Sequence, residues 1–172
     1  MEEFRIIKEF TDYEISNFGR VRNIKTGLIK KTKLEKTGYH SVCLNKDKKP
    51  YTKLIHRLLA ILFIDNPNNK SVIDHIDGNK INNNLDNLRW CTHSENSFNS
   101  KIPTTNTSGN KGVYYRKDRL KWIALIEYNK VRINLGRFEK KEDAIKARVD
   151  KARELFGEFI NKCEIIPELE EL

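Results

Sequence analysis

Up to residue 55 the chain alternates short apolar runs with turn-forming residues. The runs at 13–15, 21–24, 39–44 and 51–55 are separated by Gly19, Gly27, Gly38 and the polar stretch 45–50, a rhythm that predicts short antiparallel strands. Residues 56–64 are rich in Leu, Ala and Ile without internal Gly or Pro, and Pro67 follows, so a short buried helix is expected there. Residues 101–110 are small, polar or turn-forming and lack any apolar period, which reads as a linker. After it, 111–116, 121–127 and 131–135 form three β-rich runs separated by charged turns. Ala144, Ile145, Val149, Ala152, Leu155 and Phe156 then recur at helical spacing within 140–156. A three-stranded antiparallel sheet covered by one helix is predicted. In its third strand Val131, Ile133 and Leu135 take the covered face and leave Arg132 and Asn134 on the open one, which Tyr114 and Arg116 share from the first strand. The acidic residues after Gly157 are expected to fray.

Composition narrows the class. The 172 residues are 38% hydrophobic and 33% charged, and the longest apolar run, 58–64, is too short to cross a bilayer. The start, Met-Glu-Glu-Phe, lacks the basic-then-apolar order of a signal peptide, so no membrane association is expected. The expectation is a soluble, intracellular protein of a bacterial cytoplasm or infected cell, with nuclear access if the source is eukaryotic or viral. Cys43, Cys91 and Cys163 are odd in number and far apart, which argues against a disulfide framework and against a cysteine-based zinc site. Net charge is +9, carried by the flanks: residues 1–50 hold 12 basic and 7 acidic side chains, 51–100 hold 5 of each, and 101–157 hold 15 and 7. Two basic flanks around a neutral middle suit a polyanion, and duplex nucleic acid is the obvious one.

The neutral middle carries the chemistry. It contains Asp74-His75-Ile-Asp-Gly-Asn-Lys80 and an asparagine-rich loop to Asn87, then Leu-Arg-Trp90. Thr92-x-x-Glu95 is a capping-box signature that starts a helix at Thr92 and puts Asn96 near its first turn. Strand, loop and helix make a ββα unit in which Asp74, His75 and Asn96 can converge. Hydrolysis of a phosphodiester needs a base for the attacking water, and a hard cation with oxygen ligands for the departing oxygen. An imidazole titrates near neutrality, so His75 suits the base, while Asp74 and Asn96 suit Mg²⁺ or another hard divalent ion such as Mn²⁺. Asn87 is placed to hydrogen-bond across the loop and fix the His75 ring.

The order His75, Asn87, Asn96 within Asp-His-x-Asp-Gly-Asn-Lys-x-Asn-Asn-x-x-x-Asn-Leu-x-Trp resembles the HNH endonucleases, in particular the homing type of phages and mobile elements. Asn96 stands where the family's last histidine commonly lies, a replacement also found in the homing subgroup. The resemblance implies His75 as general base, Asn87 as its orienter, and Asp74 with Asn96 as metal ligands. It extends upstream to Ile55-His-Arg-Leu-Leu-Ala60 and Phe63. Residues 4–23, with Tyr13-Glu-Ile-Ser-Asn-Phe-Gly19-Arg-Val-Arg22, are similar to the modular motif that often precedes this nuclease unit. Residues 108–157, with Gly112-Val-Tyr, Lys121-Trp-Ile-Ala and Leu135-Gly-Arg-Phe138, resemble the plant ethylene-response-factor type of DNA-binding domain. That family lays its sheet in the major groove, which implies Tyr114, Arg116, Arg132 and Asn134 as the reading face.

The fold class expected is therefore α+β. Its parts are an N-terminal β-rich DNA-contacting module (1–54), a ββα-metal nuclease unit (55–100), the linker (101–110), the sheet-plus-helix domain (111–160) and an acidic tail (161–172). Double-stranded DNA is the expected partner, Arg20 and Arg22 are further candidates for phosphate contact, and no small-molecule cofactor is implied. One such unit gives one active site, so a monomer cutting one strand at a time is expected, with a dimer as the route to double-strand cutting. His56 is read as packed or phosphate-touching, and His40 and His93 stay outside the catalytic set. Trp90 and Trp122 are read as core, and Arg89 as a side chain of undefined direction near the site. The rival reading is a sequence-specific DNA-binding regulator that keeps the nuclease unit only as a scaffold.

Overall fold

Backbone hydrogen bonding resolves the N-terminal alternation into two three-stranded antiparallel sheets in a computed structural model that describes residues 1–161 and Glu164. The first has the order β1 (Phe4–Ile6), β2 (Tyr13–Ser16), β3 (Val21–Asn23), and the second β4 (Thr32–Leu34), β5 (His40–Lys46), β6 (Lys49–Leu54). β1 and β4 are three-residue edges that bury no side chain, so they leave no apolar alternation to read. The stretch 45–50, expected as a turn, is mostly strand. The chain reverses within two residues, Asp47 and Lys48, both at positive φ (51° and 60°), the geometry that matches the twist of a tight hairpin. Pro50 is tolerated because β6 is an edge strand.

Helix α1 (Ile55–Phe63) lies within one residue of its predicted span, and buries Ile55, Leu58, Leu59 and Ala60. A single core joins these to Ile15, Val21, Val42, Leu44, Ile73 and Leu88. Both N-terminal sheets and the nuclease-like segment therefore share one apolar interior, as three-stranded sheets this small require a neighbour to bury a face. β7 (Val72–His75) and β8 (Leu88–Cys91) form a two-stranded antiparallel ribbon over that core, joined by a loop whose only regular piece is a 3₁₀ turn at Leu85–Asn87. Helix α2 (His93–Phe98) begins right after Thr92, where the capping box predicts it.

The chain divides into two compact units, Met1–His93 and the part from Ser94 onward. The polar stretch 101–110 lies inside the second, where Asn106 is tied into its own turn: its Oδ1 accepts from the Ser108 and Gly109 amides, and its Nδ2 donates to Asn110 O. β9 (Val113–Arg116), β10 (Lys121–Tyr128) and β11 (Val131–Phe138) make an antiparallel sheet with β10 central, packed on α3 (Lys141–Phe156). Val113, Ala124, Ala144, Ile145 and Val149 fill one end of the sheet–helix interface, and Ile126, Ala152 and Phe156 the other.

Two expectations need correction here. Val131 is 61% exposed rather than covered, because it opens β11 directly after the hairpin turn at Asn129–Lys130, at the margin of the helix's footprint. The segment after Gly157 is not frayed among its described residues. Gly157–Phe159 form a 3₁₀ turn, Phe159 and Asn161 are buried, and the Glu164 carboxylate is buried between Arg148 (2.8 Å) and Lys111 (2.9 Å). The rest of the expected acidic tail lies outside the described residues. Among the described residues no helix is long and apolar enough to cross a membrane.

Candidate functional site

β7 delivers Asp74 and His75 side by side at the end of the ribbon, and both are buried. Register places Asp74 opposite Arg89 and His75 opposite Leu88. That pairing gives Arg89 its direction. Its Nε and Nη2 both donate to Asp74 Oδ2, at 2.9 and 2.8 Å, so the carboxylate is fixed in orientation by a charge-assisted fork.

The loop after His75 is organised around Asp77. Its carboxylate accepts from the Asn79 amide (2.7 Å), Asn82 Nδ2 (2.8 Å) and Asn87 Nδ2 (2.9 Å). Burial opposes its ionisation, but those hydrogen bonds, with the nearby His75, outweigh it and hold the carboxyl below its ordinary range. Asn87 does span the loop, donating also to Asn82 O and accepting from the Asp77 amide at 3.0 Å. The side chain that meets the His75 ring is a different one: Asn83 Oδ1 lies 3.1 Å from His75 Nε2. An amide oxygen only accepts, so this contact favours the tautomer with the proton on Nε2 and makes Nδ1 the basic nitrogen. The orienting role expected of Asn87 is thus divided: Asn87 shapes the loop and Asn83 touches the ring.

Two aromatic neighbours complete the seat of His75. The His56 ring stands edge-on at 5.2 Å and Tyr39 lies 5.8 Å away, with Tyr39 and His56 themselves 4.6 Å apart. His56 is buried with no hydrogen-bond partner at Nδ1, and burial, helped by the positive potential of His75 and Arg57, pulls it down to about 4. It is a neutral, packed histidine. Lys80 pins the loop to the β4–β5 turn by donating to Thr37 O at 3.0 Å. Trp90 is half-buried against the core, with Nε1 donating to Ile64 O.

Asp77, Asn83, Tyr39 and Arg89 were not singled out for these parts by sequence reasoning. The signal for Asn83 was present in the Asn82-Asn83-Asn84 run, which turn tolerance alone also explains. Asn96 sits on α2, beyond the unit boundary. Among the described residues no three His, Cys, Asp or Glu side chains cluster as a metal site. One carboxylate and one amide oxygen are hard donors, and Mg²⁺ commonly keeps several waters when so held.

Candidate polyanion contacts lie elsewhere. Arg20 is ion-paired with Glu2, which hydrogen bonds from Arg20 and Ser16 lower to about 2, and Arg22 donates to Glu14 at 2.6 Å while stacking on Phe4. On the second unit's sheet, register puts Tyr114, Arg132 and Asn134 on the open face with Ile123, Glu127 and Leu125 opposite them. Arg116 shares that face and holds Asp118 through Nε and Nη2. A bulge at Leu135 then changes the parity: Ala124 faces Gly136 while Leu125 faces Asn134, so Arg137 joins the open face opposite Ile123. Simple alternation hides this residue.

Residues 53–98 match the HNH endonuclease family and residues 2–45 the NUMOD4 motif. The structure is similar to one of the HNH homing endonuclease I-HmuI, described by its DNA binding and cleavage, at 31% identity and a TM-score of 0.53, covering 84% of this chain and 82% of that one. The chain belongs to the HNH endonucleases. Among curated HNH relatives, one from Acanthamoeba polyphaga mimivirus is 42% identical over 63% of this chain and 31% of its own length. The DNA endonuclease I-HmuI of Bacillus phage SP01 is 43% identical over 55% of each chain, and the H-N-H endonuclease F-TflII of Escherichia phage T5 is 34% identical over 68% of this chain and 62% of its own. The chain thus spans less than two thirds of the length of each of these curated relatives.

Proposed function

We propose that this HNH chain is a metal-dependent homing-type DNA endonuclease that hydrolyses phosphodiester bonds of duplex DNA at a recognised site, leaving a 5′ phosphate and a 3′ hydroxyl. The observation that carries the reading is the buried His75 imidazole, ring-bonded to Asn83 and adjacent in sequence to an Arg89-clamped Asp74. His75 Nδ1 takes the proton of the attacking water, Asn83 keeps the tautomer, and Asn87 with Asp77 holds the loop in shape. Asp74 and Asn96 would hold a hard divalent cation, Mg²⁺ or Mn²⁺, which would supply charge neutralisation for the departing 3′ oxygen.

Target selection falls to the two basic flanks. The sheet of the second unit is the counterpart of the ethylene-response-factor type of domain, with Tyr114, Arg116, Arg132 and Asn134 toward the major groove and Arg137 beside them. Arg20 and Arg22 exchange their carboxylate partners for phosphates. One site per chain makes the expected product of a monomer a nick.

The test is incubation of the protein and its His75→Ala variant with long duplex DNA, in Mg²⁺ and in chelator. Metal-dependent nicking that the variant lacks is expected. Equal inertness of both proteins across varied DNA and divalent ions would instead support a DNA-binding regulator built on the same modules.

A further inference from the structure

Phe18 is 64% exposed at the tip of the β2–β3 turn, yet nothing about the turn is loose. The Ser16 amide donates to Arg20 O and the Gly19 amide to Ser16 O, both at 2.8 Å, and the Arg20 amide reaches Ser16 Oγ. Asn17 is tied to the N-terminal strand through its amide on Glu3 O and its Oδ1 on the Glu3 amide. On either side Ser16 and Val21 are fully buried. Gly19, at φ +81°, lies so close to α1 that a Cβ would meet Ile55 Cγ2 at 3.0 Å. The turn is clamped to the core, and it holds a large apolar ring out in water. Isolated surface aromatics are ordinary, but one on a rigid mount needs more explanation.

Its surroundings supply one. Phe18 lines two hollows, of about 410 and 500 Å³, and Asn82 and Asn84 line both. The first hollow also carries Arg20 and Lys30, cations suited to phosphate, together with His40 and the apolar Ile29 and Ile81. Asn83, which lies between Asn82 and Asn84 and lines the first hollow, is the residue bonded to His75. An aromatic ridge flanked by amide-bearing hollows, one of them cationic, matches a split base step: the ring fills the gap, amides meet base edges and cations take the backbone.

We infer that Phe18 is a wedge that enters the duplex and unstacks a base step next to the phosphodiester that the water activated by His75 attacks. This rests on the endonuclease reading and goes beyond it by assigning the N-terminal motif a part in deforming DNA. The wedge opens the groove locally so that a phosphate can reach a buried imidazole.

The experiment begins with a randomised duplex pool in Mg²⁺, from which nicked sites are recovered and the nick mapped. 2-Aminopurine is then placed at each step around the nick, and the His75→Ala protein is added so that DNA is bound uncut. A rise in fluorescence at one step is expected, absent when Phe18→Ala is added to that background and kept with Phe18→Trp. In the otherwise intact protein, Phe18→Ala should slow nicking of the matched duplex by roughly ten-fold or more, on the scale of base–aromatic stacking, while a mismatch at the wedged step restores most of the rate. No unstacked step around the nick, or a rise that survives Phe18→Ala, overturns the wedge and leaves the endonuclease standing. No nick anywhere in the pool removes both.

Discussion

The contact between Asn83 and His75 makes the base depend on a residue with no chemistry of its own. Loss of that hydrogen bond frees the ring to turn and to change tautomer, so Asn83→Ala should lower single-turnover nicking of prebound DNA by roughly ten- to a hundred-fold. Equal rates would show that the imidazole is oriented without the Asn83 hydrogen bond. His56 makes a second prediction. Its folded value near 4 lies below the ordinary 6.5, so between those limits the unfolded chain binds a proton that the folded chain lacks. Stability is therefore full above about pH 6.5, falls by up to about 1.4 kcal/mol per pH unit as pH drops toward 4, and levels off below. Urea melts across that range should show the slope, and His56→Phe should flatten it. A slope unchanged in the variant would place its origin elsewhere.

At the scale of elements, the sheet of the second unit depends on one glycine and one bulge. Gly112 has φ +64°, and a Cβ there would stand 2.1 Å from the Leu125 carbonyl oxygen and 2.9 Å from Arg148 Nε. Neither neighbour can move easily, since the Leu125 amide bonds Gly112 O and Arg148 is buried on Glu164. Gly112→Ala should cost about 3 kcal/mol or more in chemical denaturation, an effect of backbone strain and steric overlap. A loss within 0.5 kcal/mol, the ordinary surface scatter, would mean that the strand relaxes. The bulge at Leu135 was invisible to period-two reading, because Val131, Ile133 and Leu135 keep the odd parity that Arg137 also has. Hydrogen-bond register alone reveals the change. Asn87 is a milder instance: its place across the loop was legible from spacing, its partners were not.

For the whole molecule the units bear on how the labour can be divided. Phe98 of α2 stacks on Phe156 of α3 at 4.1 Å, with the rings nearly parallel. Deleting residues 108–172 removes Phe156 and strips the helix that carries Asn96 of its apolar support. Such a truncation should lose rate in the chemical step as well as affinity, and normal single-turnover cutting by it would contradict this coupling. Arg132→Ala with Arg137→Ala is the cleaner probe of recognition. The pair should weaken binding and reduce the salt dependence of log K by about one unit for each phosphate no longer neutralised, leaving the cutting rate of bound DNA unchanged.

The linear order of residues by itself determined the helices, the three C-terminal strands and the family. Apolar periodicity and a motif of fixed spacing are local properties, written wherever a segment must bury one face or close one loop. Folding in three dimensions decided the partners: Arg89 on Asp74, Asn83 on His75, Glu164 between Lys111 and Arg148, and Phe18 held outward. Each such choice follows from register, turn geometry or a shared core, which the order of residues does not display.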